Sequence, residues 1–152
     1  MTISSDFQWP IRIYWEDTDA GGVVYYANYL RYLERARSEW LRALGYSQQA
    51  LVQDPGILFM VVNLELEYFR PARLDDALLV SCLPERDGRV TLRFRQQIVR
   101  DSVDREPLVA ASLRVACLDA RTLRPRRVPD FIPLGDPLPI PSAATQPVGL
   151  IK

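Results

Sequence analysis

The chain changes its hydrophobic rhythm as it runs. Residues 9–15, WPIRIYW, alternate apolar and polar behind an initial proline, the period that marks a half-buried strand. From Tyr26 the period lengthens: Tyr26, Tyr29, Leu30, Leu33, Ala36, Trp40, Leu41 and Leu44 recur at helical steps, while Arg31, Glu34, Arg35, Ser38 and Arg42 mostly fall elsewhere. This predicts one amphipathic helix of about five turns, closed by Gly45. Its stripe is aromatic enough to lie across the face of a sheet. After a short connection through Asp54, Pro55 and Gly56, strand-like runs follow at 57–69, 77–83, 89–100 and 108–118. In the third of these, Val90, Leu92, Phe94 and Ile98 share one face, and Arg89, Thr91, Arg93, Arg95 and Gln97 the other. The breaks at 71–76, 85–88 and 101–107 hold turn residues and permit hairpins. A strand, a long helix and then four strands is the order of an α+β domain, an antiparallel sheet with one principal helix.

Composition narrows the class. The 152 residues are 48% hydrophobic, enough for one domain with a real core. We place that domain at residues 1–130. Residues 131–152 read as an extended or disordered tail, because seven of the chain's twelve prolines fall between Pro125 and Pro147. A net charge of +0 gives no general attraction to nucleic acid or to an anionic membrane. The first ten residues lack a basic stretch followed by an apolar run, and no segment approaches the ~20 apolar residues of a membrane span, so a cytoplasmic protein is expected. Cys82 and Cys117 stand alone in apolar runs, as buried packing residues do. Most decisive is the absence of histidine, which excludes a Ser-His-Asp triad, a Cys-His pair and a His-ligated metal centre. Acid-base work falls to carboxylates, tyrosines or water, without a cofactor.

The chemistry is concentrated between Trp15 and Gly45, where an acidic loop and a glycine pair run directly into the long helix. A helix N-terminus offers unpaired N–H groups and partial positive charge, so a carboxylate beside it points to attack on, or hydration of, a polarised carbonyl. Asp19 is the candidate carboxylate, although an aspartate ahead of Gly21 and Gly22 also suits a turn or a cap. Gly22 permits close backbone approach to a ligand, and the N–H of Tyr26 can donate to a developing oxyanion. Asn28 can hold the acidic loop by hydrogen bonding, with Asp17 as support. Asp17, Asp19 and Gly22 mimic the opening of a calcium loop, but Asn28 stands where that loop needs a closing glutamate, and no metal site is expected.

The segments EDTDAGGVVYYANY at 16–29, ERARSEWLR at 34–42 and YFRPARLDD at 68–76 carry a family likeness, with RPRRVP at 124–129 in support. Over residues 8–130 or so the chain resembles the hotdog-fold acyl-CoA thioesterases of the 4-hydroxybenzoyl-CoA thioesterase type, most of all the branch associated with the tol-pal gene cluster. The resemblance implies a five-stranded antiparallel sheet wrapped around the long helix, homodimers joined through sheet edges, homotetramers, and active sites at subunit interfaces. It implies an acyl-CoA substrate, with an acyl carrier protein as a second conceivable donor, and it puts Asp19 beside the thioester carbonyl as nucleophile or general base. Many members of the branch carry histidine where this chain has Tyr26. Of the 18 arginines, Arg89 and the cluster Arg124, Arg126 and Arg127 best suit the phosphates of coenzyme A, Arg124 matching a basic contact of the family. A dehydratase of the same fold is disfavoured by the missing histidine. A non-catalytic acyl-binding or scaffolding protein is the alternative from a different class.

Overall fold

A computed structural model describes residues 7–135; most of the expected tail, 136–152, lies outside the described residues. Strand β1 (Gln8–Arg12) leads into one 3-10 turn at Trp15–Asp17, helix α1 (Asn28–Ala43) and a short helix α2 (Gln48–Gln53). Five strands follow: β2 (Ile57–Tyr68), β3 (Ala77–Ser81), β4 (Leu83–Arg86), β5 (Thr91–Arg100) and β6 (Pro107–Asp119). The sheet order is β1-β3-β5-β6-β2, with β4 also on β5 and all named pairs antiparallel. The sixth strand comes from an interruption and not from a new layer. Leu78↔Arg100 through Val80↔Ile98 and Leu83↔Arg95 through Arg86↔Leu92 keep one register, so β3 and β4 are a single strand broken around Cys82.

The hairpins expected after residues 85 and 101 form, between β4 and β5 and between β5 and β6. The one expected at 71–76 does not. β2 lies at the edge beside β6 and β3 lies beside β1, so that segment carries the chain across the sheet. It is tied down on the way, with Val24 N donating to Ala72 O at 2.9 Å and Ala72 N to the Tyr29 hydroxyl at 3.0 Å.

Helix α1 packs on the sheet through Tyr29, Tyr32, Leu33, Ala36, Trp40 and Leu41. The predicted stripe holds at its centre and fails at its ends. Tyr26 precedes the first helical turn and is 63% exposed, while Leu30 and Leu44 also face outward. Tyr32, missed by the periodicity, takes a buried place. The C-terminus closes as Gly45 predicts: Gly45 N donates to Arg42 O and Tyr46 N to Leu41 O, with Gly45 at φ +96°, a conformation that costs glycine little. Helix α2, unforeseen, is capped by Ser47 Oγ accepting from Ala50 N.

One polar side chain anchors helix to sheet. On the inner face of β5, between Phe94 and Ile98, Gln96 is buried; its Nε2 donates to Leu33 O at 3.0 Å and Ser81 O at 3.2 Å, and its Oε1 accepts from Arg37 Nη1 at 3.0 Å. Replacing it by leucine keeps the volume and strands the guanidinium. Gln96→Leu is expected to lose about 1–3 kcal/mol of stability in urea unfolding. An unchanged midpoint would mean that the anchor contributes nothing.

Candidate active site

The acidic loop folds as a small hairpin. Tyr25 N donates to Asp17 O at 3.0 Å, Asp19 N to Val23 O at 2.9 Å, and Gly22 N back to Asp19 O at 3.0 Å. This is a three-residue loop with aspartate opening the turn and Gly22 at φ +77°, the left-handed position that such loops reserve for glycine. Space is not the reason for that glycine, since nothing lies within 4 Å of a Cβ built there. Gly21 is different: its N–H donates to Asp19 Oδ1 at 2.8 Å, and a Cβ on it would stand 3.1 Å from that oxygen. Asp19 is therefore exposed, held by one carboxylate oxygen, with Oδ2 free of partners among the described residues.

Asp17 is the post on which the hairpin stands. Its Oδ2 accepts from Tyr14 N at 2.7 Å, and its carbonyl accepts from Asn28 Nδ2 at 2.9 Å as well as from Tyr25 N. Asn28, the first residue of α1, thus ties the hairpin to the helix. Burial raises the pKa of the Tyr32 hydroxyl, and the nearby Asp17 carboxylate adds to the effect. Gly22 N–H is spent inside the turn, whereas the N–H groups of Tyr26 and Ala27 have no acceptor among the described residues. The Tyr68 hydroxyl at the end of β2 donates to Tyr26 O at 2.8 Å. Around the hairpin Tyr14, Trp15, Tyr25 and Tyr26 are exposed, Trp15 by 80%.

Two concavities lie away from the hairpin. Beneath the C-terminal half of α1, Trp40, Leu41, Phe59 and Phe94 line an apolar cavity of about 160 Å³, with Arg37 and Glu34 as its charged residues. Next to it, a polar cleft of about 280 Å³ is lined by Arg86, Arg89 and Arg127. Ile132 lines both. The expected phosphate ligands are therefore separated. Arg89 belongs to the cleft, whereas Arg124 is exposed outside it with no side-chain bond among the described residues. Arg126 is committed to structure: its Nη1 donates to Pro55 O at 2.9 Å and Gly56 O at 3.0 Å and faces Asp119. Arg86 was missed because it sits in a turn-adjacent strand with no pattern of its own. Both cysteines are buried, which pushes the Cys82 thiol up to about 12.

The sheet, the helix across it and the hairpin before that helix define a hotdog-fold protein of thioesterase type. The chain belongs to the Thioesterase superfamily, whose family model matches residues 21–106. It is 39% identical to the acyl-CoA thioesterase YbgC of Haemophilus influenzae, over 84% of this chain and 91% of that protein. It is 43% identical to the acyl-CoA thioester hydrolase YbgC of Escherichia coli, over 83% of this chain and 92% of that one. Among solved structures, a probable thioesterase from Bartonella henselae superposes with a TM-score of 0.75 at 33% identity, covering 80% of this chain and 98% of that chain. Among the described residues no helix is long and apolar enough to cross a membrane.

Proposed function

We propose that the protein hydrolyses acyl-CoA thioesters to a carboxylic acid and free coenzyme A, with Asp19 as the reacting carboxylate and the N-terminus of α1 as the carbonyl-binding end. The observation that carries this is the hairpin, which holds one oxygen of Asp19 and leaves the other open, next to a helix start with unclaimed N–H groups. Asp19 acts in one of two ways. As nucleophile, Oδ2 bonds to the carbonyl carbon, the thiolate leaves, and water then splits the anhydride. As general base, it takes a proton from the water that attacks. In both, negative charge gathers on the carbonyl oxygen, and the Tyr26 and Ala27 N–H groups are the donors for it. The thiolate is a good leaving group, so no histidine is needed to protonate it.

The site is composite in this reading. Asp19 and Tyr26 stand by the Tyr68 end of β2, while the apolar cavity and the arginine cleft stand toward its Phe59 end, most of a strand of about 40 Å away. β2 is a long edge strand with Met60, Val61 and Val62 exposed on it, an unprotected template for pairing. Two copies pairing antiparallel along β2 bring the Phe59 end of one against the Tyr68 end of the other. A homodimer then assembles two sites, each with its carboxylate from one subunit and its cavity from the partner. Cytoplasmic placement, a homotetramer built from such dimers and use of an acyl carrier protein belong to the same proposal.

The test is thiol release across short aliphatic, long aliphatic and aromatic acyl-CoAs. Tight binding without thiol release over the whole panel would instead support the binding-protein alternative. Arg89→Ala is expected to raise KM roughly tenfold for acyl-CoA, and to leave KM for the same acyl group on pantetheine, which lacks the nucleotide phosphates, unchanged. An equal rise for both would remove Arg89 from phosphate recognition.

A further inference from the structure

The cavity beneath α1 is mostly apolar; Glu34, Arg37 and Gln48 are its polar residues, and of these Arg37 is the one its surroundings do not explain. Arg37 is half-buried in its wall, yet among the described residues it has no ion-paired carboxylate. Its direct contacts are the neutral Oε1 of Gln96 at 3.0 Å and the ring of Phe94, 6.0 Å from the guanidinium carbon. Gln96 takes one N–H of a group built to grip a carboxylate with two. Glu34, one turn earlier, is exposed, and its Oε1 accepts from the Ser38 hydroxyl at 2.7 Å. Ser38 in turn accepts from Gln48 Nε2 at 2.9 Å. A cation whose hydrogen-bond partner is neutral is costly in a low-dielectric wall: burial lowers the Arg37 pKa, and the Glu34 carboxylate, beyond ion-pair distance, offsets only part of that. A hydrocarbon tail filling the cavity would remove its remaining water and deepen that cost. An anionic tail would relieve it.

Resting on the thioester-hydrolase reading above, we propose that this cavity takes a short acyl group ending in a carboxylate, and that Arg37 selects it. Size agrees: about 160 Å³ is close to the roughly 150 Å³ of an apolar cavity that holds one benzene, so a ring or a chain of a few carbons fits. Trp40, Phe59 and Phe94 cover the methylenes, and the free edge of the guanidinium meets the terminal oxygens. Glu34 also lines the cavity and repels an anion, so the selection rests on the Arg37 contact outweighing that repulsion. The preferred substrates are then thioesters of dicarboxylic acids, charged at the end remote from sulphur.

The experiment compares glutaryl-CoA with pentanoyl-CoA, which match in carbon count and differ in the terminal carboxylate. Wild-type protein is expected to favour glutaryl-CoA in kcat/KM by roughly 10- to 100-fold, the discrimination that a charge-assisted hydrogen bond gives in a site built for it. Arg37→Met should erase or reverse that ratio, and Arg37→Lys should keep part of it, with circular dichroism reporting the fold of each. Equal or better turnover of pentanoyl-CoA by the wild type overturns the proposal, whether or not the variants fold. If neither compound is turned over, thiol release across the wider acyl-CoA panel judges the hydrolase reading separately. Calorimetry with the non-hydrolysable thioethers carboxybutyl-CoA and pentyl-CoA then decides the cavity. Tighter binding of the first sustains the selectivity, and equal binding overturns it.

Discussion

Asp19→Asn is expected to lower kcat for thiol release by roughly 100- to 10,000-fold, the span attributed to a positioned catalytic base or acid, with little change in stability. The substitution isolates charge from structure. Asparagine retains an Oδ1 that can accept from Gly21 N, so the turn that fixes the hairpin survives. The residue is exposed, so its packing is unaffected. What disappears is the oxygen free to attack or to take a proton. A variant that turns over acyl-CoA at nearly the wild-type rate would remove Asp19 from the mechanism. Single turnover of wild-type protein in heavy-oxygen water then looks for the anhydride: label in the Asp19 side chain marks it, whereas label confined to the product acid is the outcome both of general-base hydrolysis and of water attack on the acyl carbon of an anhydride.

Val62→Asp should have an effect of the same order by another route. Val62 falls within the register shift between Val61 and Asn63 and is 53% exposed in the single chain, so a carboxylate there meets water and the isolated fold should tolerate it. On a paired edge the same carboxylate lies in the seam, facing its twofold copy. Sedimentation should show the assembly falling to the mass of one chain, and thiol release should fall by roughly 100-fold or more in step with it, because the carboxylate and the cavity no longer meet. A dissociated chain with full turnover would mean that one subunit contains the whole site. An assembly left intact would move the interface off β2.

Local signals in the sequence carried much of this. The aspartate before a glycine pair is the chemistry of a three-residue hairpin loop, and Gly45 is the chemistry of a helix end, because each depends on the conformations of a few adjacent residues. The alternation in β5 was equally readable. What escaped depends on partners far away in the chain. Tyr26 shares the helical period but lies before the helix, because the chain is pinned at Asp17 and Asn28 and turns only there. The crossover at 71–76 has the composition of a hairpin, and only the destination of β3 beside β1 distinguishes it. Arg126 reads as a phosphate ligand until the carbonyls of Pro55 and Gly56 arrive beside it. Gln96 did carry a signal: a polar residue in the inward phase of β5, between Phe94 and Ile98, asks where its hydrogen bonds go. The answer, Leu33 and Arg37 on the helix, marks where the cavity's unusual cation is held.

The hydrogen bond from the Tyr68 hydroxyl to Tyr26 O reaches beyond bracing. A peptide group is one conjugated unit, and the N–H that shares a unit with the Tyr26 carbonyl is that of Ala27. Electron density drawn toward the phenol leaves that N–H more acidic, so Tyr68 acts as an electronic trim on a donor that it never touches. Tyr68 is also the last residue of the edge strand. A shift of the Tyr68 end of β2 relative to the Tyr26 carbonyl would change the length of that phenol contact and, through one amide, the strength of the Ala27 N–H as a donor.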